Sequence, residues 1–194
     1  MNRAADVALA GVGLALTSPL LAAAALAIKL EDGGPVLFRQ TRVGKQGKDF
    51  ELLKLRSMSV GAEHQGAGYA VDRGDSRITR VGRFLRRTSI DELPQLWNVL
   101  RGDMSVIGPR PTLRYQVDRY SERQRRRLDV RPGLTGWAQV NGRATLSWDD
   151  RIELDVWYVE HRSPLVDLKI LLRTPLALFG GTYRGRSGGW RPDR

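Results

Sequence analysis

The sequence predicts a helix-rich α/β fold: a compact domain with a small β-hairpin, amphipathic helices lying at a bilayer surface, and an N-terminal helix hairpin that enters the membrane and returns. Three observations carry this. Ala4 to Ile28 is a nearly continuous apolar run, broken by Asp6 and by Thr17-Ser18-Pro19, and about 25 such residues suffice for a hydrocarbon core. Two short β-patterned runs then flank a Gly-containing loop. After them, apolar residues recur at helical spacing while arginines crowd the flanks. The chain divides into residues 1–30, a membrane helix integral to the fold, residues 31–179, a domain facing the cytoplasm, and residues 180–194, a basic Gly-rich tail.

The chain has 194 residues, enough for one proper core. It carries a net charge of +11, and only five of its 32 basic side chains are lysine. Arginine forks match phosphate oxygens bidentately, so the excess points to a phosphate-rich partner: nucleic acid, an anionic membrane surface or a nucleotide. With no cysteine, disulfides and thiolate metal sites are excluded.

The apolar segment has three readings. A straight spanning anchor is the default for its length. A cleaved signal peptide draws on Arg3 and the AAAALA stretch, but Asp6 and the single preceding basic side chain argue against it. A hairpin follows from Ser18-Pro19: proline frees the carbonyl of Ala15 and bends the helix, and a serine hydroxyl can supply the missing partner. Positive charge at both ends favours both being cytoplasmic, hence the hairpin.

Beyond a turn at residues 31–35, Val36–Gln40 and Phe50–Arg56 read as strands, with Gly44, Gly47 and Lys48 between them. Lys54 and Arg56 lie two apart and share a face, either a solvated face or an anion-facing pair. Residues 59–75 read as a mobile loop. His64 and His161 are isolated, with no second histidine at metal spacing. Ile78, Val81, Phe84 and Leu85 mark an amphipathic helix flanked by Arg80, Arg83, Arg86 and Arg87, placed at head groups or simply solvated. Leu113, Val117 and Tyr120 mark another, running into Arg123–Arg127, a candidate nucleic-acid stripe in isolation. Residues 131–143 are punctuated by Gly and Pro and read as a loop, functional or ordinary. Ser147–Tyr158 is a helix. Ser163-Pro164 starts the last one, from Leu165 to Phe179, with a kink at Pro175.

The central stretch is Ser89 to Pro111, SIDELPQLWNVLRGDMSVIGPRP. Leu93, Leu96, Trp97 and Leu100 form one buried helix face, and Gly102 ends it. Asp91 and Glu92 open that helix, where N–H groups are unpaired and the dipole is positive. Ser89-x-x-Glu92 matches a capping box, although that start would put Pro94 beyond the first turn; Asp91 as N-cap fits Pro94 better. On spacing alone capping is the commoner role. The other reading is a pair of carboxylates with Arg110 on a Pro-flanked loop nearby, suited to a metal ion and an anionic substrate.

The motifs taken together resemble the bacterial sugar transferase family, in its small monotopic phosphoglycosyl transferase form. The resemblance is carried by Thr17-Ser18-Pro19, by FRQTRVGKQGKDFELLKLRSM (residues 38–58), by DSRITRVGRFLRRTSIDELPQLWNVLRGDMSVIGPRP (75–111), by DVRPGLTGWAQVNGR (129–143) and by the pattern around Asp155, Tyr158 and Asp167. It implies transfer of a sugar-1-phosphate from a UDP-sugar to undecaprenyl phosphate with release of UMP, at the cytoplasmic face of the bacterial inner membrane. It implies Mg²⁺ at Asp91 and Glu92, with Asp91 the nucleophile, and re-entry of the membrane helix at Ser18-Pro19. Arg86 and Arg110 are then the foremost phosphate ligands. Arg131, Gln139, Asn141 and Arg143 are donor-binding candidates, and Lys54 and Arg56 could face either substrate. The partners are donor, acceptor and membrane lipids, not nucleic acid, and a homodimer is admitted. The rival classes are a basic nucleic-acid-binding module, which lacks any helix-turn-helix or zinc signature, and a membrane-anchored scaffold in which the two acids are only caps.

Overall fold

The computed structural model describes residues 2–65, 74–142 and 146–179. The tail beyond Phe179, Arg143 and residues 66–73 of the 59–75 loop lie outside them. The first element, α1 (Arg3–Asp32), is one uninterrupted helix of 30 residues, begun by Asn2, whose Oδ1 accepts from Ala5 N, and ended at Gly33 with φ 70°. The hairpin break expected at Ser18-Pro19 is not seen: the helix runs through both residues. Ser18 Oγ donates to the Ala15 carbonyl at 2.9 Å, the very carbonyl that Pro19 deprives of its N–H partner.

Among the described residues, α1 is the one helix long and apolar enough to cross a membrane. It buries Asp6 and Ala10 near one end and Ala24 and Ile28 near the other, while Leu16 is 76% exposed. Polar contacts tie both ends to the rest of the chain. Arg3 donates to the carbonyls of Val99 and Leu100. Asp6 Oδ1 accepts from Ser105 Oγ and Val106 N, both at 2.8 Å. At the far end Glu31 accepts from Arg80 N at 2.7 Å, and Asp32 pairs with Arg56.

The hairpin forms as expected but longer: β1 (Leu37–Val43) pairs antiparallel with β2 (Asp49–Leu55), Phe38 opposite Lys54. α2 (Arg80–Thr88) is capped by Thr79, whose Oγ1 accepts from Gly82 N, and buries Leu85 against Leu55, Ala24 and Ile28. α3 (Gln95–Arg101) packs Leu96 and Val99 on Ala10, Leu52 and Met104. Asn98, fully buried, stitches α3 to β2: its Nδ2 donates to Glu51 O at 2.7 Å and its Oδ1 accepts from Leu53 N at 3.0 Å.

The segment before Pro109 forms β3 (Ser105–Ile107), which pairs in parallel with β4 (Gly133–Thr135). Residues 131–143, read as a loop, thus contribute a strand and a short helix, α6, below. The two backbones meet so closely that a Cβ at Gly133 would lie 2.0 Å from Gly108 N. Between them the expected single helix from Leu113 to Arg127 is two, α4 (Arg114–Val117) and α5 (Glu122–Arg125). Ser121 and Gln124 form a capping box that restarts the helix: Ser121 Oγ accepts from Gln124 N, and Gln124 Oε1 from Ser121 N. α6 (Trp137–Val140) follows β4. α7 (Trp148–His161) starts at its Ser147 cap, and α8 (Pro164–Phe179) runs on through Pro175.

Candidate active site

Asp91 and Glu92 sit in a 3-10 turn, Ile90–Glu92, between α2 and α3. Ser89, with φ 58°, ends α2, and its side chain caps nothing in the following turn. Pro94 stands at the start of α3. The capping reading therefore fails on both counts: Glu92 does not return to Ser89, and Asp91 is not the cap of α3. Glu92 is engaged elsewhere. Its Oε1 accepts from Lys54 Nζ at 2.9 Å and from Arg110 NH2 at 2.5 Å.

Asp91 is 6% exposed and, among the described residues, its carboxylate accepts no hydrogen bond. Burial pushes it up to about 6; Lys54, Arg86 and Arg110 pull against that, and Glu92 adds to it. Burial would raise Glu92 too, but Arg110 and Lys54 hold it well below the usual carboxylate range. Burial lowers Lys54, opposed by Glu92. The two acids thus have different characters: one a committed anion clamped by cations, the other a carboxylate with free lone pairs. Three cations around two acids leave a positive balance for an incoming anion.

Arg110 comes from the Pro109–Pro111 loop, where Pro111 favours extended backbone at Arg110. β1 holds one side of this loop: Arg42 NH1 donates to Pro111 O at 3.3 Å and Val43 N to Thr112 O at 2.9 Å. On the other side Arg127 NH2 donates to Arg110 O at 3.0 Å. Arg127 is buried, paired with Asp155 of α7 and donating to the Tyr120 hydroxyl. Burial raises Asp155 to about 6 against the pull of Arg127.

The other expected residues fall in several places. Arg86 lies on α2 close enough for its charge to act on Asp91, with NH1 3.5 Å from Ser57 Oγ. Lys54 and Arg56 part company: Lys54 reaches Glu92, whereas the buried Arg56 guanidinium is taken up by Asp32 at the end of α1. Arg131 Nε donates to Gly102 O at 2.9 Å, beyond α3. Asn141 donates to Trp137 O and accepts from Arg173. Gln139 stands out on α6, with both amide atoms buried and unpartnered. Arg143 is outside the described residues. Asn98 and Arg127 were not singled out by sequence. A buried asparagine on a helix gives no periodic signal, and Arg127 is hidden in an arginine run whose other members are partly or fully exposed.

The donor set suits Mg²⁺. Among the described residues Asp91 offers a carboxylate with no hydrogen bond, and Glu92 Oε2 accepts one long bond, 3.4 Å from Arg110 NH1. No group of three or more acidic or histidine ligands occurs among the described residues. Mg²⁺ habitually takes one or two carboxylates and fills the rest with water and substrate phosphates.

The fold sets a pair of carboxylates among three cations on a chain with one long apolar helix, and comparison with known proteins gives the family. The family model described as bacterial sugar transferase matches residues 1–181; the chain belongs to the bacterial sugar transferase family. It is 51% identical over 186 residues to UDP-glucose:undecaprenyl-phosphate glucose-1-phosphate transferase of Caulobacter vibrioides, covering 92% of this chain and 69% of that one. It is 45% identical over 174 residues to the uncharacterized sugar transferase EpsL of Bacillus subtilis, covering 90% and 85%. With UDP-N-acetylgalactosamine-undecaprenyl-phosphate N-acetylgalactosaminephosphotransferase of Aeromonas hydrophila it shares 45% over 187 residues, but spans only 44% of that protein.

Proposed function

We propose that this chain transfers a sugar-1-phosphate from a UDP-sugar to undecaprenyl phosphate in two steps through Asp91. The observation that carries the reading is the asymmetry of the dyad: Glu92 is clamped by Lys54 and Arg110, while Asp91, beside it, keeps its lone pairs unengaged. The names of the Caulobacter and Aeromonas relatives give the substrate class.

In the first step an Asp91 oxygen attacks the phosphorus that bears the sugar. The bond from that phosphorus to the bridging oxygen breaks, UMP leaves with the oxygen, and an aspartyl phosphosugar remains. In the second, an oxygen of the lipid phosphate attacks the same phosphorus and the bond to Asp91 breaks. The products are polyprenyl-diphosphate-sugar and the original carboxylate. Arg110 and Arg86 neutralise the diphosphate as two anions approach each other. Lys54 and Arg110 keep Glu92 ionised. Mg²⁺ held by Asp91 and Glu92 would add charge neutralisation and stabilise the leaving oxygen. Gln139, with its unpartnered amide, is the foremost hydrogen-bonding candidate for donor recognition on the 131–143 segment.

The lipid acceptor requires a site at the membrane boundary. α1 supports a re-entrant, monotopic placement on the cytoplasmic face of the inner membrane, because both of its ends are hydrogen-bonded to the same domain while its apolar centre is exposed. The experiment is UMP release from a panel of UDP-sugars with Mg²⁺ and undecaprenyl phosphate in detergent. Release that needs Asp91 supports the reading; a folded protein that releases UMP equally well as Asp91→Ala contradicts it.

A further inference from the structure

We infer that Arg127 is a positioning residue for this transfer: it fixes the main chain of the Arg110 loop so that the Arg110 guanidinium stands over Glu92. The inference rests on the function proposed above.

Arg127 is 5% exposed and does not touch the dyad. Its guanidinium makes three hydrogen bonds. NH2 donates to the Arg110 carbonyl at 3.0 Å and to Asp155, and NH1 donates to the Tyr120 hydroxyl. That hydroxyl donates on to Thr112 Oγ1 at 3.2 Å. One side chain therefore grips the loop twice, directly at residue 110 and through Tyr120 at residue 112. The far anchor is Asp155 on α7, so the loop's position is referred to a separate helix of the fold.

The chemistry explains why the grip matters. Arg110 is 44% exposed along a flexible side chain, so its aim depends on where its backbone is held. A planar fork with several donors satisfies carbonyl, carboxylate and hydroxyl in one fixed geometry; an ammonium cannot. Burying a charged pair is a poor route to stability alone, since apolar side chains of similar volume often serve as well. What the fork adds here is the loop geometry, and small displacements of a catalytic group are costly in rate.

The test is a double-mutant cycle with Arg127→Lys, Arg110→Ala and the pair, on the full chain in detergent. The readouts are donor KM and kcat for UMP release, Kd for UDP as a diphosphate probe, and thermal midpoint. Arg127→Lys is expected to lower donor kcat/KM by about 10- to 100-fold, with a rise in donor KM and a weaker UDP Kd. Loss of folded protein alone would lower apparent kcat without moving KM. In the Arg110→Ala background the same change is expected to cost nothing further. Should Arg127→Lys not fold, Tyr120→Phe, which removes the hydroxyl that links Arg127 to Thr112 and leaves the direct bond from Arg127 to the Arg110 carbonyl, is expected to show the same non-additivity at smaller size. Full additivity, or an Arg127→Lys enzyme with unchanged kinetics, overturns the positioning role. An Arg110→Ala enzyme with unchanged donor kinetics and UDP affinity overturns the role given to Arg110, and the positioning role with it.

Discussion

Arg110 NH2 lies 2.5 Å from Glu92 Oε1, an ion pair that joins the Pro-flanked loop to the turn opening α3 across 18 residues of chain. Lys54 reaches the same oxygen from the hairpin. Three separate stretches of sequence are thus focused on one carboxylate, while its neighbour Asp91 accepts no hydrogen bond among the described residues.

In metal-free protein, carboxyl carbon NMR is expected to show Asp91 titrating near 6, above the ordinary carboxylate range, because burial disfavours its charge. The resonance is lost in Asp91→Asn. Lys54 lowers this value, so Lys54→Met is expected to move the titration to higher pH. A normal value near 4, or a downward move in Lys54→Met, contradicts the assignment.

Arg56 is expected to act on stability, not on the donor. Its buried guanidinium is bound to Asp32, so Arg56→Met should lower stability by about 1.5–3 kcal/mol and leave donor KM within about twofold of wild type. A large KM effect with an unshifted thermal midpoint would return Arg56 to the substrate site.

The topology of α1 can be read by labelling, since the chain has no native cysteine. Single cysteines at Asn2 and at the exposed Val60 are expected to react with an impermeant reagent from the same side of sealed vesicles. Labelling from opposite sides means that α1 spans the bilayer.

At the centre of α1, Ser18 Oγ answers the carbonyl freed by Pro19. Ser18→Ala leaves that carbonyl unsatisfied in an apolar setting, with an expected loss of about 1–3 kcal/mol, measurable as a lower thermal midpoint in detergent. Ser18→Ala combined with Pro19→Ala restores the helical hydrogen bond and should recover most of it. No recovery would assign the two residues another role.

Much of the architecture was legible because its signals are local. The apolar run gave α1, two strand-like runs around a Gly-containing loop gave the hairpin, and Ser147 and Ser163 stand at the starts of α7 and α8. The parallel pair β3 and β4 was not legible: three-residue strands carry no period, and their pairing is decided by the close approach of Gly108 and Gly133. The site was half legible. Lys54, Asp91, Glu92 and Arg110 were named from sequence, but the pairing of Lys54 with Glu92 spans 38 residues and follows from Asn98 tying α3 to β2. A pattern read along the chain does not contain that contact. Nor does it single out Arg127, buried, from its neighbours Arg125, exposed, and Arg126, whose side chain is 54% exposed.

The central claim is that Asp91 becomes covalently bonded to the phosphosugar. The direct measurement is intact-protein mass after exposure to a UDP-sugar that supports UMP release, with Mg²⁺ and without lipid acceptor, followed by peptide mapping. The account predicts an adduct of one sugar phosphate on Asp91, absent in Asp91→Asn and discharged by undecaprenyl phosphate. An adduct on another residue, or UMP release that occurs only when donor and acceptor are present together and leaves no adduct, would contradict it.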